Sequence, residues 1–187
     1  MKDLSYAERK GGVESVMVVP NIIDVEASGF GRGSYPIEVG LALSSGRRFC
    51  SLIEPHESWQ HWQRSAEDTH KISQQEVLLF GRDIKWVANQ LNQILQHQTV
   101  YSDAWGNDSS WIAKLFEQAD VRQQFKIDSI VNLLSEAQME IWHDTKEALA
   151  AQSQEARHRA SNDAILIQKT FIETQVKLGM SSQMGVA

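Results

Sequence analysis

Apolar and polar positions alternate with a period of two early in the chain, and then recur every three to four residues over most of its remaining length. Residues 15–26 end in Ile22-Ile23-Asp24-Val25-Glu26 and predict a first strand, with Pro20 marking an irregular or edge-exposed stretch within it. From Pro36, residues Ile37, Val39, Leu41 and Leu43 fall on one face and Glu38, Gly40 and Ala42 on the other, which predicts a second strand. Ser44-Ser45-Gly46-Arg47 turns the chain into a third strand over 48–54, stopped by Pro55. Connections this short make the three strands antiparallel. Residues 83–96 carry Ile84, Val87, Ala88, Leu91, Ile94 and Leu95 along one helical stripe. The short strand 99–102 is entered from that helix, which suits a buried, parallel neighbour of the first strand.

A further helix comes next, with Trp111, Ile112, Leu115, Phe116 and Ala119 on its buried side. A short strand is expected at 125–127, with Asp128 or Ser129 capping the apolar turn after it. Helices at 136–152 and 157–176 complete the pattern, the last with Ala160, Ala164, Ile167 and Phe171 at helical spacing. Residues 56–75 show no period and read as a polar segment. Its Trp59 and Trp62 would cap the sheet, stack bases, or serve an interface if exposed. The domain expected from this reading covers 15–178, between a polar leader at 1–14 and a disordered tail at 179–187.

A chain of 187 residues with 42% hydrophobic content and six Trp fits one folded domain. No apolar run approaches the ~18 residues of a membrane span. Cys50 is the single cysteine, which excludes an internal disulfide and points to a reducing cytoplasm. The net charge of −6 argues against a broad basic surface for nucleic acid. It leaves open a small site at which metal ions supply positive charge locally.

Candidate chemistry begins at Asp24 and Glu26, which point to the same side of a strand about 7 Å apart. Either both face solvent, or a hard divalent cation relieves their repulsion by binding both. The loop behind them, Gly29-x-Gly31-x-Gly33, fails the dinucleotide-binding spacing. Phe30 in that loop is a stacking platform for a base or packs over the loop. Asp108 caps a helix or is a third acid of the same site. Glu38 reads as a solvent-facing strand residue in preference to a metal ligand, and Asp103 as a solvated loop residue in preference to an outer acid. His158 and Asp163 would lie about 140° apart on a continuous helix, so both reach one site only if His158 stands in the loop entering it. Arg157 and Arg159 steer phosphate or are ordinary surface residues.

Asp24-Val25-Glu26, Asp108 leading a helix, and His158-Arg159-Ala160-Ser161-Asn162-Asp163 together resemble the three motifs of the DEDDh 3′-to-5′ exonucleases, the group that holds proofreading exonucleases, ribonuclease T and oligoribonuclease. The resemblance runs over 18–172, and Ser28-Gly29-Phe30, Pro36-Ile37-Glu38-Val39-Gly40 and His70-Lys71-Ile72-Ser73 add to it. It implies a ribonuclease H-like α/β fold: a mixed five-stranded sheet, three strands antiparallel and the rest parallel, flanked by helices. It also implies hydrolysis of phosphodiester bonds at 3′ ends with release of nucleoside 5′-monophosphates. Asp24, Glu26, Asp108 and Asp163 would then hold two Mg²⁺ or Mn²⁺ ions and His158 would be the general base, a role suited to a side chain that ordinarily titrates near pH 6.5. Phe30, Ser28 and Trp105 would contact the substrate, a single-stranded DNA or RNA 3′ end. The family's usual His-Asn and aromatic before the second motif are replaced here at Asp103, Ala104 and Asn107, which bears on substrate choice. Many relatives are dimers, so a homodimer is the implied assembly. The rival readings are a non-catalytic nucleic-acid-binding protein with the same fold and a phosphodiesterase for short oligonucleotides.

Overall fold

Each face of the first strand carries its own chemistry. β1 (Ile22–Ala27) sends Ile23, Val25 and Ala27 into a large apolar core, while Ile22 enters a smaller core on the opposite side, where Asp24 and Glu26 come after it by alternation. A strand apolar on both faces must be covered on both, and β1 lies in the middle of a five-stranded sheet of order β3-β2-β1-β4-β5. The computed structural model describes residues 19–153 and 158–184. The expected leader, and the part of the expected first strand before residue 19, lie outside them.

The elements run β1, β2 (Pro36–Ala42), β3 (Arg48–Leu52), α1 (Arg64–His70), α2 (Gln74–Phe80), α3 (Ile84–Leu95), β4 (Thr99–Ser102), α4 (Trp105–Gln118), β5 (Lys126–Ser129), a 3₁₀ turn (Ile130–Leu133), α5 (Glu136–Gln152) and α6 (Ala160–Met184). β1 pairs antiparallel with β2, and β2 with β3, whereas β1–β4 and β4–β5 are parallel. This is the mixed, helix-flanked sheet expected of the ribonuclease H-like class. Among the described residues, no helix is long and apolar enough to cross a membrane.

One face of the sheet packs against α3 and α4, whose Val87, Leu91, Ile112 and Leu115 are fully buried in the large core. The other face packs against α6, where Ala164, Ile167 and Phe171 meet Ile22 and Ala42. α5 lies outside α6 and is tied to it by Gln138, which donates to the Thr174 hydroxyl at 3.1 Å. Fully buried Glu38 corrects the solvent-facing reading. β2 is buried along its whole length because α6 covers the side that its period-two pattern marked as polar.

Other boundaries differ for local reasons. The first strand begins at Ile22, beyond Pro20, which has no N–H to give to a ladder; the Asn21 carbonyl accepts from Tyr101 at 2.8 Å instead. The segment 56–75, read as polar and without period, contains α1 and the start of α2. Ser73 starts α2 by accepting the Glu76 N–H at 3.1 Å, and Lys71, at φ 59°, ends α1 in the left-handed region. Trp59 is not an exposed interface residue: it is buried and stacked on Tyr35, ring centroids 5.1 Å apart. The last helix continues past the expected 176 to Met184, overlapping the expected tail, whose final residues lie outside those described.

Among the described glycines, Gly40 of β2 makes the closest approach, to the start of α6. A Cβ placed on Gly40 would stand 2.2 Å from both the Ala160 carbonyl carbon and the Ser161 nitrogen. Both neighbours are backbone and cannot step aside. Gly40→Ala should therefore lower the unfolding free energy by about 1–3 kcal/mol, read as a fall in the urea midpoint at unchanged slope.

Candidate active site

Because β1 and β4 run parallel, their carboxyl ends lie side by side, and a cavity of about 480 Å³ opens over them. Asp24 and Glu26 line it from β1, Asp108 from the first turn of α4, Asp163 from the first turn of α6, and His158 from the loop before α6. The structure thus brings together five residues drawn from three distant stretches of sequence. A larger open depression of about 620 Å³ at the opposite end of β4 and β5 gathers His97, Arg122 and Lys126 among glutamines, and no acid lines it.

Asp108 is not the helix cap. Ala104 holds that position, and Asp108 lies inside the first turn, 1% exposed, accepting the Ser102 hydroxyl at 2.5 Å. Ser102 in turn accepts the Ala104 N–H at 2.9 Å, so the end of β4 and the start of α4 orient this carboxyl. His158 stands outside the helix at φ 60°, as its separation from Asp163 requires. Its backbone N–H donates to Asp163 Oδ2 at 2.9 Å, leaving the imidazole at the cavity.

Phe30 is 65% exposed on the cavity rim, its ring centroid 6.0 Å from that of Trp111. The loop beneath it is held firmly. Gln63 accepts the Phe30 N–H at 3.0 Å and donates to the Phe30 carbonyl at 3.1 Å, an approach that Gly29, at φ 143°, leaves room for. Ser28 and Trp105, the other two residues expected to contact substrate, do not line this cavity. Ser28 is buried, with its hydroxyl shared between the Tyr35 N–H and His61 Nδ1, and the Trp105 indole donates to the Ile127 carbonyl at 3.1 Å. Asp103 is an exposed loop residue, as expected, and pairs with Lys146 of α5, whereas Arg159 is committed to Glu38. Arg157 lies outside the described residues.

The wall that the sequence did not reveal is α1, which contributes Ser65, Ala66, Thr69 and His70. His70 is buried, accepts the Ile72 N–H on Nδ1 at 3.0 Å, and is held by that burial below the ordinary histidine pKa. A seven-residue helix without a side-chain cap leaves little trace in sequence; the Ser73-x-x-Glu76 spacing of α2 was the available signal that this segment is helical.

The acids are electrostatically unsettled. Burial first, then repulsion from Asp108, Glu26 and Asp163, holds the Asp24 carboxyl well above its usual range. Burial and Asp163 raise Glu26 to about 7, with Arg159 pulling the other way. Burial raises Asp108 to about 7 against the opposing Ser102 hydrogen bond. Among the described residues, ligand atoms of Glu26, His158 and Asp163 come within 4.8 Å of one another. Crowded carboxylate oxygens whose ionisation is opposed by their own neighbours fit a hard divalent cation.

No protein-family profile matches the sequence, and no curated protein does. Solved structures do match. They include E. coli exonuclease I in a zinc-bound complex with single-stranded DNA, at 11% identity and TM-score 0.60 over 83% of this chain and 39% of that one. E. coli exonuclease I with a dA16 oligonucleotide gives 11% identity and TM-score 0.64 over 82% and 40%. A moderately thermophilic exonuclease I from Methylocaldum szegediense gives 12% identity and TM-score 0.60 over 82% and 40%. What is shared is the fold. The chain spans about two fifths of the length of these proteins.

The raised carboxyls have a measurable consequence. Between their ordinary values, 4.5 for Glu26 and 3.8 for Asp108, and about 7, the folded protein keeps protons that the unfolded chain has already lost. The folded state then binds more protons, and the contribution of these groups to stability falls as pH rises through that window. In chelator, Glu26→Gln should flatten this decline and raise the thermal midpoint above pH 7 relative to the parent. Equal pH profiles for the two proteins would remove Glu26 from the cluster.

Proposed function

We propose that this protein is a metal-dependent 3′-to-5′ exonuclease acting on single-stranded nucleic acid and releasing nucleoside 5′-monophosphates. The observation that carries the reading is the convergence of Asp24, Glu26, Asp108, Asp163 and His158 on one cavity at the strand ends. The fold shared with exonucleases solved on single-stranded DNA supports it. Asp24, Glu26, Asp108 and Asp163 would hold two divalent ions, Mg²⁺ or Mn²⁺. Such ions supply Lewis-acid stabilisation of phosphodiester charge and a more acidic attacking water.

The chain's own residues do the rest. His158 removes the proton from the attacking water, its imidazole directed by a backbone that Asp163 anchors. Phe30 offers an exposed ring on a loop fixed by Gln63, a surface against which a terminal base can stack. α1 adds Ser65, Ala66, Thr69 and His70 to the cavity wall. A second reading, a phosphodiesterase for short oligonucleotides, draws on the net charge of −6, since a long strand gains little from an acidic surface.

End-labelled single-stranded RNA and DNA of one sequence, incubated with Mn²⁺, Mg²⁺ or chelator, test the proposal. Metal-dependent laddering from the 3′ end is expected, and Asp24→Ala should abolish it while the protein stays folded. Cleavage of a dinucleotide but not of a 20-mer would favour the second reading, and intact substrates throughout would favour a binding protein. His158→Ala should lower turnover by roughly 10²–10⁴-fold with metal affinity retained in calorimetry. A collapse of metal affinity in that variant would make His158 a ligand instead.

A further inference from the structure

A fifth carboxylate stands directly behind the cavity. Glu38 lies opposite Glu26 in the β1–β2 register and is 0% exposed. A buried carboxylate is tolerated only when it is paired and hydrogen-bonded. Besides the Cys50 thiol of β3, the donors come from the start of α6. Arg159 Nε donates to both Glu38 oxygens at 3.0 and 3.2 Å, Arg159 Nη2 donates to Oε1 at 2.6 Å, and the Ala160 N–H donates to Oε2 at 2.8 Å. Two residues along the same face of β2, Gly40 admits the Ala160–Ser161 backbone to a distance that any side chain would forbid.

His158 immediately precedes this anchored pair. Its φ of 60° lies in the left-handed region, which few non-glycine residues adopt. Asp163 holds its amide from one side, and Glu38 fixes the next two residues, Arg159 and Ala160. We propose that Glu38 is a positioning residue for His158: through Arg159 and the Ala160 amide it locks the left-handed backbone that points the imidazole into the cavity. Glu38 itself does not line that cavity. The assignment rests on the reading of His158 as the general base.

Two measurements separate a failure of this inference from a failure of that reading. The first is a kinetic cycle of wild type, E38Q, H158A and the double variant. E38Q should lower kcat by about 10–100-fold with KM and metal affinity unchanged, because it loosens a catalytic group without touching substrate. In the H158A background the same change should cost less than about two-fold, since the residue it acts through is gone. An equal loss in both backgrounds, or a lower melting temperature with unaltered kcat, would overturn the positioning role. R159K keeps the charge and folding while removing the planar two-point grip, and serves as the second variant with the same expected pattern. The second measurement needs no activity: amide hydrogen exchange at 158–163 should quicken in E38Q and R159K while β1 and α3 stay protected. A wild type that cleaves nothing would end the nuclease reading, and with it the role of the base. Exchange at 158–163 would still decide for or against the lock itself.

Discussion

Burial of like charge governs this molecule. Asp24, Glu26, Glu38, Asp108 and Asp163 gather where β1, β2, α4 and α6 meet, and each acid in a low-dielectric setting demands a counter-charge, a donor or a proton. The outlying acids are answered by cations of the chain itself: Glu38 by Arg159, and Asp103 by Lys146. Asp24, Glu26 and Asp108 stay raised. Asp108 remains high despite its hydroxyl donor, and Asp24 is pushed up by burial and by the carboxyls around it. A fold that balances its peripheral charges and leaves the middle unbalanced keeps a local instability where a cation or a reaction can use it.

Much of this was legible in the sequence. The period-two and period-3.6 patterns located the five strands and most of the helices, because residues such as Ile37, Val39 and Leu41, or Trp111, Ile112 and Leu115, reach the core through local geometry alone. The helical separation of His158 and Asp163 required a loop position for the histidine, and the backbone supplies it. Tertiary partners were less visible. Nothing local to Glu38 says that an arginine 121 positions away will neutralise it, so the solvent-facing reading came from composition and failed on packing. Ser28 lies close behind the acids in sequence, yet its hydroxyl turns inward to hold the loop. Trp59 was ambiguous because an aromatic in a polar stretch looks the same whether it stacks on Tyr35 or faces solvent. Asp108 resembled a cap since helix starts favour Asp, while its burial against Ser102 depends on where β4 ends.

The two faces of the sheet divide the labour. The face under α3 and α4 carries most of the core. The face under α6 changes character along its length, from Ile22 and Ala42 at one end to the acids and Gly40 at the other. A single helix therefore seals the smaller core with Phe171 and Ile167 and delivers Asp163 to the cavity.

That arrangement makes α6 a lever. Ala160 lies eleven residues before Phe171, about 16 Å along the helix axis, so a tilt of only about 4° around the Phe171 contact would swing the helix start by about 1 Å. Displacements of that size matter wherever reacting groups must meet within hydrogen-bond range. A helix gripped only at its far end would magnify every small repacking there. Seating its near end on Gly40 and Glu38 places the fulcrum beside the chemistry, so that looseness in the small core is spent at the distal end of the helix, away from the cavity.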